Sequence, residues 1–293
     1  MVVDGKKIAQ DLLVNVSQDV EQLARPVRLA AILVGDHPGS RKFLALKKSA
    51  AEKSGIDFRI YEFPEIITSQ QLRKKVVEIA RAQINSGVIV ELPLPPHINT
   101  QYILNAVPEE KDVDVLFQKS QGAFFANRSP ISPPTVEAVK TIFEKHNIET
   151  KGKNCVVFGY GLLVGKPISH WLAAQGATVS IINEFTSSPE EISRQADILI
   201  SGVGKPNLIK ADMIKQGAAV IDFGYERLAG SGKLGATLVG DVVFDEVNQK
   251  ASLITPVPGG VGPIVIAALL KNLVTLAGNK NERQQAPKSN QRV

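Results

Sequence analysis

Apolar and polar positions follow two rhythms along this chain, and the rhythms take turns. In DGKKIAQDLLVNVSQDVEQL, Asp4 to Leu23, apolar residues recur at helical spacing behind an aspartate placed to cap the first turn. VRLAAILVG is a short unbroken apolar run closed by Gly35, the pattern of a buried parallel strand. A helical stretch follows, SRKFLALKKSAAEKSG, closed by Gly55, and then an alternating strand, DFRIYEF. SQQLRKKVVEIARAQINSG predicts an amphipathic helix ending at Gly87, and VIVELPLPP a third strand stopped by prolines.

From Gln118 to Thr135 the periodicity lapses, which predicts a linker. A helix from Val136 to His146 opens a second alternating series. Its predicted strands are NCVVFG, ATVSIIN, ADILISGVG and AAVIDFG, with helices at Val164–Gln175, Pro189–Gln195 and Ala211–Gln216. A last strand, ASLIT, runs into PVPGGVGP and an apolar helix from Ile264 to Leu276. The polar tail reads as disordered. Alternation of this kind predicts an α/β protein with parallel sheets and right-handed crossovers, whose ligands bind at the carboxyl ends of strands.

Length and composition narrow the class. A chain of 293 residues suits about two domains, and 44% hydrophobic residues suffice for two cores. A net charge of +5 comes without a dense basic run interleaved with aromatics, which speaks against nucleic acid. Cys155 is the one cysteine and sits in an apolar run, so it is expected to be a buried small hydrophobe. The four histidines are scattered without metal-ligand spacing, and no metal is expected. The N-terminus lacks the apolar core of a signal peptide, and no apolar run is expected to reach the ~20 residues of a membrane span. The expectation is a cytoplasmic protein.

The stretch VVFGYGLLVGKP carries the first candidate chemistry. Gly159, Gly161 and Gly165 follow an apolar strand and open a helix, the context of a dinucleotide-binding turn. Backbone N–H groups at such a helix start face phosphates. About 20–25 residues on, Glu184 ends the next strand, where such folds keep an acid for a free ribose 2′-OH.

Six segments stand in one order at fitting spacings: VGDHPGSRKFLALKKSA, VIVELPLPPHI, PEEKDVDV, VGKP, GDVVFDEV and TPVPGGVGP. Together they resemble the bifunctional methylenetetrahydrofolate dehydrogenase/methenyltetrahydrofolate cyclohydrolase family, from about Asp4 to Leu276. The resemblance implies a folate-binding catalytic α/β domain at residues 1–120 plus 262–278. It implies a Rossmann-type NAD(P)-binding domain at 121–261 and a tail at 279–293. The last helix returns to pack on the first domain, the active site is a cleft, and a homodimer is usual. The implied reactions are oxidation of 5,10-methylenetetrahydrofolate to the 5,10-methenyl form with NAD(P), and hydrolysis of that product to 10-formyltetrahydrofolate. A non-catalytic folate- or dinucleotide-binding paralogue is the alternative, favoured by the departures that follow.

The resemblance assigns roles residue by residue. Phe43 and Lys47 match a Tyr-x-x-x-Lys whose spacing puts both on one helix face. Phe43 keeps a ring to stack on the pterin and lacks the hydroxyl; Lys47 matches the catalytic lysine. Glu91 stands where the family has Gln. A carboxylate near Lys47 favours the ammonium, which is a poor base, so the change weighs against hydrolysis. Asp114 matches the acid that grips the pterin N–H groups, and Val115 stands where glycine is usual. Pro258, Gly259 and Gly260 match the loop that approaches folate and nicotinamide, followed by Ile264 and Val265 in place of Met-Thr. NADP-using relatives carry an arginine at Tyr160 and a cation beside Glu184. Their absence here implies a preference for NAD over NADP.

Overall fold

The computed structural model describes residues 1–36, 38–228 and 237–285. They form two compact units. One comprises 11–134 and 266 onward, here called the N-terminal unit; the other comprises 1–10 and 135–265, here called the central unit.

The N-terminal unit is built from α1 (Gly5–Glu21) beyond Gln10, β1 (Arg28–Val34), α2 (Pro38–Lys53), β2 (Asp57–Phe63), α3 (Ser69–Arg81), β3 (Gly87–Val90), α4 (Thr100–Leu104) and α5 (Gln118–Phe125). Its three strands are parallel in the order β2-β1-β3, with Leu29 opposite both Phe58 and Gly87. Six of the seven β1 residues are buried, which is why the run is continuously apolar. Asp4 caps α1 as expected, its Oδ1 accepting from Lys7 N at 3.0 Å.

Helix α3 ends at Arg81, six residues before the expected stop at Gly87, which instead opens β3. Side chains close the helix early. Lys111 Nζ donates to Ala80 O and Ala82 O at 2.6 and 2.8 Å, and Asn85 Nδ2 to Ile79 O at 2.8 Å. The helix start is a capping box between Thr68 and Gln71. Within the expected linker, residues 118–125 fold as α5, a short helix with little amphipathic pattern to betray it.

The central unit contains α6 (Pro134–His146), β4 (Asn154–Phe158), α7 (Gly165–Ala174), β5 (Thr178–Ile182), α8 (Pro189–Ser193), β6 (Ile198–Ser201), β7 (Ala219–Asp222), β8 (Glu226–Leu228), β9 (Thr237–Val239), α9 (Phe244–Asn248), β10 (Leu253–Ile254) and the start of α10 (Val261–Gln285). The expected helix at 211–216 is a single 3-10 turn, Ala211–Met213. Five parallel strands lie in the order β5-β4-β6-β7-β10 around a core of Val156, Phe158, Leu199, Val220 and Ile254. The order reverses between β4 and β6, which makes that point the crevice where such sheets bind ligands. Cys155 is buried on β4, and burial pushes its thiol up to about 12, as a core residue's would be.

Residues 266–285 of α10 belong to the N-terminal unit. There Asn272 Nδ2 donates to Val113 O and Ser132 O at 2.9 and 2.8 Å. The stretch Val261–Asn279 is long and apolar enough to cross a membrane, against the expectation from the sequence. It is mostly buried, with Ala267, Ala268, Leu269, Leu270 and Leu273 no more than 1% exposed, so it is a core helix. The helix continues past Leu276 to Gln285, and the rest of the polar tail lies outside the described residues.

Candidate active site and cofactor turn

In the N-terminal unit the carboxyl ends of β1 and β3 gather the predicted folate residues. Glu91 follows β3 directly and extends its pairing, its N–H donating to Ile32 O at 2.9 Å. Its side chain is 6% exposed. A buried carboxylate needs a partner, and it has one: Lys47 Nζ on α2 lies 2.5 Å from Glu91 Oε1. Phe43 stands one turn earlier on α2 and is half-buried. Asp112 pairs with Val88 as a parallel bridge, so Asp114, two residues on, is carried toward the same edge.

Asp114 completes the cluster. Burial pushes its carboxyl up to about 7; the Lys47 charge pulls it down, and Glu91 and Asp112 push it up. The KDVD segment divides its labour. Lys111 closes α3, Asp112 Oδ2 accepts from Phe117 N at 2.7 Å, Val113 is core, and Asp114 is the member within reach of the Lys47 and Glu91 charges. Val115 has φ +58, a left-handed conformation costly for a β-branched residue and free for glycine. It is 2% exposed, so the substitution combines backbone strain with burial.

In the central unit the turn between β4 and α7 lies at the sheet's reversal point. Each glycine has its own reason. Gly159 has φ +87 and starts the turn, its N–H donating to Ile182 O at 2.8 Å. A Cβ on Gly165 would lie 2.1 Å from Gly159 O, so the helix start packs directly on the turn. At Gly161, among the described residues, no atom beyond the chain neighbours lies within 4 Å of where a Cβ would be, which leaves the backbone open to a ligand. Tight turn, close packing and open approach are the three uses of glycine in a pyrophosphate-binding turn, and the residues fit a dinucleotide.

Tyr160 is 52% exposed, with Lys166 Nζ 5.6 Å from its ring centre. From the sequence, Arg194 and Lys205 are the substitute cations considered and Lys166 is missed; its signal is a lysine in the first turn of α7. Glu184 is exposed just past β5, on the rim that the Gly159–Ile182 hydrogen bond shares with the turn. Its neighbours are pinned: Asn183 N donates to Thr186 Oγ1, and Phe185 N to Asn183 Oδ1, both at 2.9 Å. The loop after β10 carries Pro258, Gly259 and Gly260; Gly260 N donates to Pro256 O at 2.9 Å. A Cβ on Gly5 would lie 1.7 Å from Gly260 O, so the chain's first helix packs on this loop's backbone.

Two buried aspartates at the same rim were not singled out from the sequence. Asp222, 3% exposed, accepts from Gly224 N, Asp241 N and Val242 N at 2.7 to 3.1 Å. Burial pushes it up to about 6 against those donors. Asp241 is fully buried and accepts from Ser201 Oγ, Val203 N and Lys205 N. The signal was an acid set between apolar residues and glycine, in IDFG and GDVV.

The chain matches two family descriptions. They are the tetrahydrofolate dehydrogenase/cyclohydrolase catalytic domain over residues 3–114 and its NAD(P)-binding domain over 133–281. It is 43% identical over 281 residues to the bifunctional protein FolD of Nautilia profundicola, across 95% of this chain and 97% of the relative. The crystal structure of the bifunctional FolD enzyme from Campylobacter jejuni is similar, with a TM-score of 0.90, 36% identity and coverage of 96% and 99%. So is the Trypanosoma brucei enzyme complexed with NADP and an inhibitor, with a TM-score of 0.91, 35% identity and coverage of 96% and 98%.

Proposed function

This chain belongs to the tetrahydrofolate dehydrogenase/cyclohydrolase family, and from that membership we propose that it oxidises 5,10-methylenetetrahydrofolate to 5,10-methenyltetrahydrofolate and hydrolyses the product to 10-formyltetrahydrofolate. The observation that carries the reading is the cluster of Lys47, Glu91 and Asp114 at the carboxyl edge of the N-terminal unit's sheet. Asp114 offers two acceptor oxygens to the pterin's amino and ring N–H groups. Phe43 offers its ring face to the pterin. Lys47 stands as the proton-transfer group, and Glu91 holds its ammonium in place. The nicotinamide dinucleotide supplies the hydride acceptor, and Gly159, Gly161 and Gly165 shape the turn that holds its phosphates. Pro258, Gly259 and Gly260 form the further backbone approach.

The cofactor preference we read is NAD. Tyr160 brings no charge of its own, and a carboxylate at Glu184 hydrogen-bonds a free 2′-OH while repelling a 2′-phosphate. Lys166 beside Tyr160 is the observation on the other side. The same resemblance points to a homodimer working in the cytoplasm, which light scattering and fractionation test.

The deciding experiment gives purified protein 5,10-methylenetetrahydrofolate with NAD or NADP and follows both reduced nicotinamide and the methenyl chromophore. Hydride transfer faster with NAD, followed by decay of the methenyl chromophore, supports the whole reading. Faster transfer with NADP overturns the cofactor preference alone. Tight folate binding without turnover overturns the enzyme in favour of a binding protein.

A further inference from the structure

We propose that Asp241 is a positioning residue for the cofactor turn, holding the 201–205 loop so that Gly159 and Val164 keep the turn in its phosphate-binding shape. The inference rests on the reading of that turn as a dinucleotide site.

Three links make the chain. First, the buried Asp241 carboxylate is spent on one short loop. Its Oδ2 accepts from Ser201 Oγ at 2.7 Å and from Val203 N at 2.9 Å, and its Oδ1 accepts from Lys205 N at 2.8 Å. Second, that loop presses on both ends of the cofactor turn. A Cβ on Gly159 would lie 2.9 Å from Val203 Cγ1 and 3.3 Å from Gly202 O. A Cβ on Gly202 would lie 2.6 Å from Val164 Cγ1, and Val164 is the residue that leads into α7. Third, side chains of the turn do little to fix it. Gly159 N donates to Ile182 O, Lys166 N to Gly161 O and Thr135 Oγ1 to Leu163 O, but the glycines carry no side chains and α7 starts without a side-chain cap. Packing by the 201–205 loop therefore adds to these bonds in fixing its shape.

Asp241 is in turn held by its neighbour. Its N–H donates to Asp222 Oδ1 at 3.1 Å, and Asp222 is itself fixed, its N–H donating to Thr255 Oγ1 at 2.8 Å. The ends of β6 and β7 and the residue after β10 are thus tied together by these hydrogen bonds, beside the sheet's reversal at β6. Three donors converge on one carboxylate, and an asparagine cannot replace it. One of its two terminal atoms is an NH₂, which would face Val203 N or Lys205 N with a donor. The charge-free isostere leaves the fold's packing in place and releases the loop.

The test uses the full chain. Asp241→Asn is checked for folding by circular dichroism and thermal melting. NADH binding is then followed by fluorescence, and KM is measured separately for the dinucleotide and for 5,10-methylenetetrahydrofolate. The expected result is an NADH dissociation constant raised about tenfold, because small misplacements of binding groups are costly, with the folate KM within about twofold. A lowered melting temperature with an unchanged NADH dissociation constant means a fold staple only and overturns the proposal. Should Asp241→Asn not fold, Val203→Ala removes the methyl contact with Gly159 and leaves the carboxylate network intact. A dissociation constant raised about threefold is then expected, and an unchanged one overturns the proposal. Failure of the wild-type protein to bind either NADH or NADPH overturns the dinucleotide reading itself, and the proposal with it.

Discussion

Lys47 Nζ lies 2.5 Å from Glu91 Oε1, and the pair is shielded from solvent, with the two side chains 16% and 6% exposed. The contact ties the strand end after β3 to the middle of α2. It also occupies the Lys47 amine with a carboxylate, so the amine is not free to reach a substrate while the contact holds.

Replacing Glu91 with Gln is therefore expected to raise the rate of methenyltetrahydrofolate hydrolysis about tenfold and to change hydride transfer much less. Lys47→Ala strands a buried carboxylate and is expected to cost about 3 kcal/mol, most of it recovered in the Lys47→Ala/Glu91→Gln double variant. Paired rate assays and denaturant titrations read both effects. A hydrolysis rate indifferent to Glu91→Gln would show that the pair is only a structural link.

Asp114 predicts a pH dependence. Its carboxyl sits near 7 in the folded protein against an ordinary 3.8, so the native state holds a proton that the unfolded chain has lost between those values. The associated stability is full below the ordinary value and is lost as pH rises through about 7. Asp114→Asn is expected to stabilise the protein by about 1–2 kcal/mol at about pH 8 and to leave it unchanged at about pH 4. Folate binding runs the other way. Pterin N–H donors need the carboxylate, so affinity falls about tenfold per unit as pH drops well below 7, with proton release visible by calorimetry in two buffers. An affinity flat from about pH 5.5 to about pH 8 contradicts this.

Val115 and Val113 are both buried, but Val115 alone of the two has a left-handed backbone. Val113→Gly is expected to cost about 3 kcal/mol from lost packing and added chain freedom. At Val115 the relief of strain offsets most of that, and Val115→Gly is expected to cost less than about 1 kcal/mol. Equal losses at the two positions would show that φ +58 carries no strain worth counting.

The glycines of the cofactor turn separate binding from folding. Gly161→Ala meets open space and is expected to melt within about 2 °C of wild type while weakening dinucleotide binding about tenfold. Gly165→Ala drives a methyl into Gly159 O and is expected to cost about 3 kcal/mol or more. Thermal melts and NADH titrations distinguish the two. A stable Gly165→Ala variant would mean that the helix start can shift away from the turn.

Much of this protein was determined by its residues in order. Periods of two and 3.6 marked the strands and long helices, because each face that must leave water has to repeat with the backbone's own geometry. Gly159, Gly161 and Gly165 marked the turn, since each answers a local steric demand. The 3-10 turn at Ala211–Met213, the helix in the expected linker and the early end of α3 were decided by tertiary structure. The α3 stop is made by Lys111, thirty residues further along the chain than the carbonyls it caps, and no local pattern records that distance. The same reason hid the Asp222–Asp241 network and the Lys47–Glu91 contact distance. Hydrogen bonds and ion pairs act through space over about 3 Å, and which groups come that close is set by how sheets and helices pack.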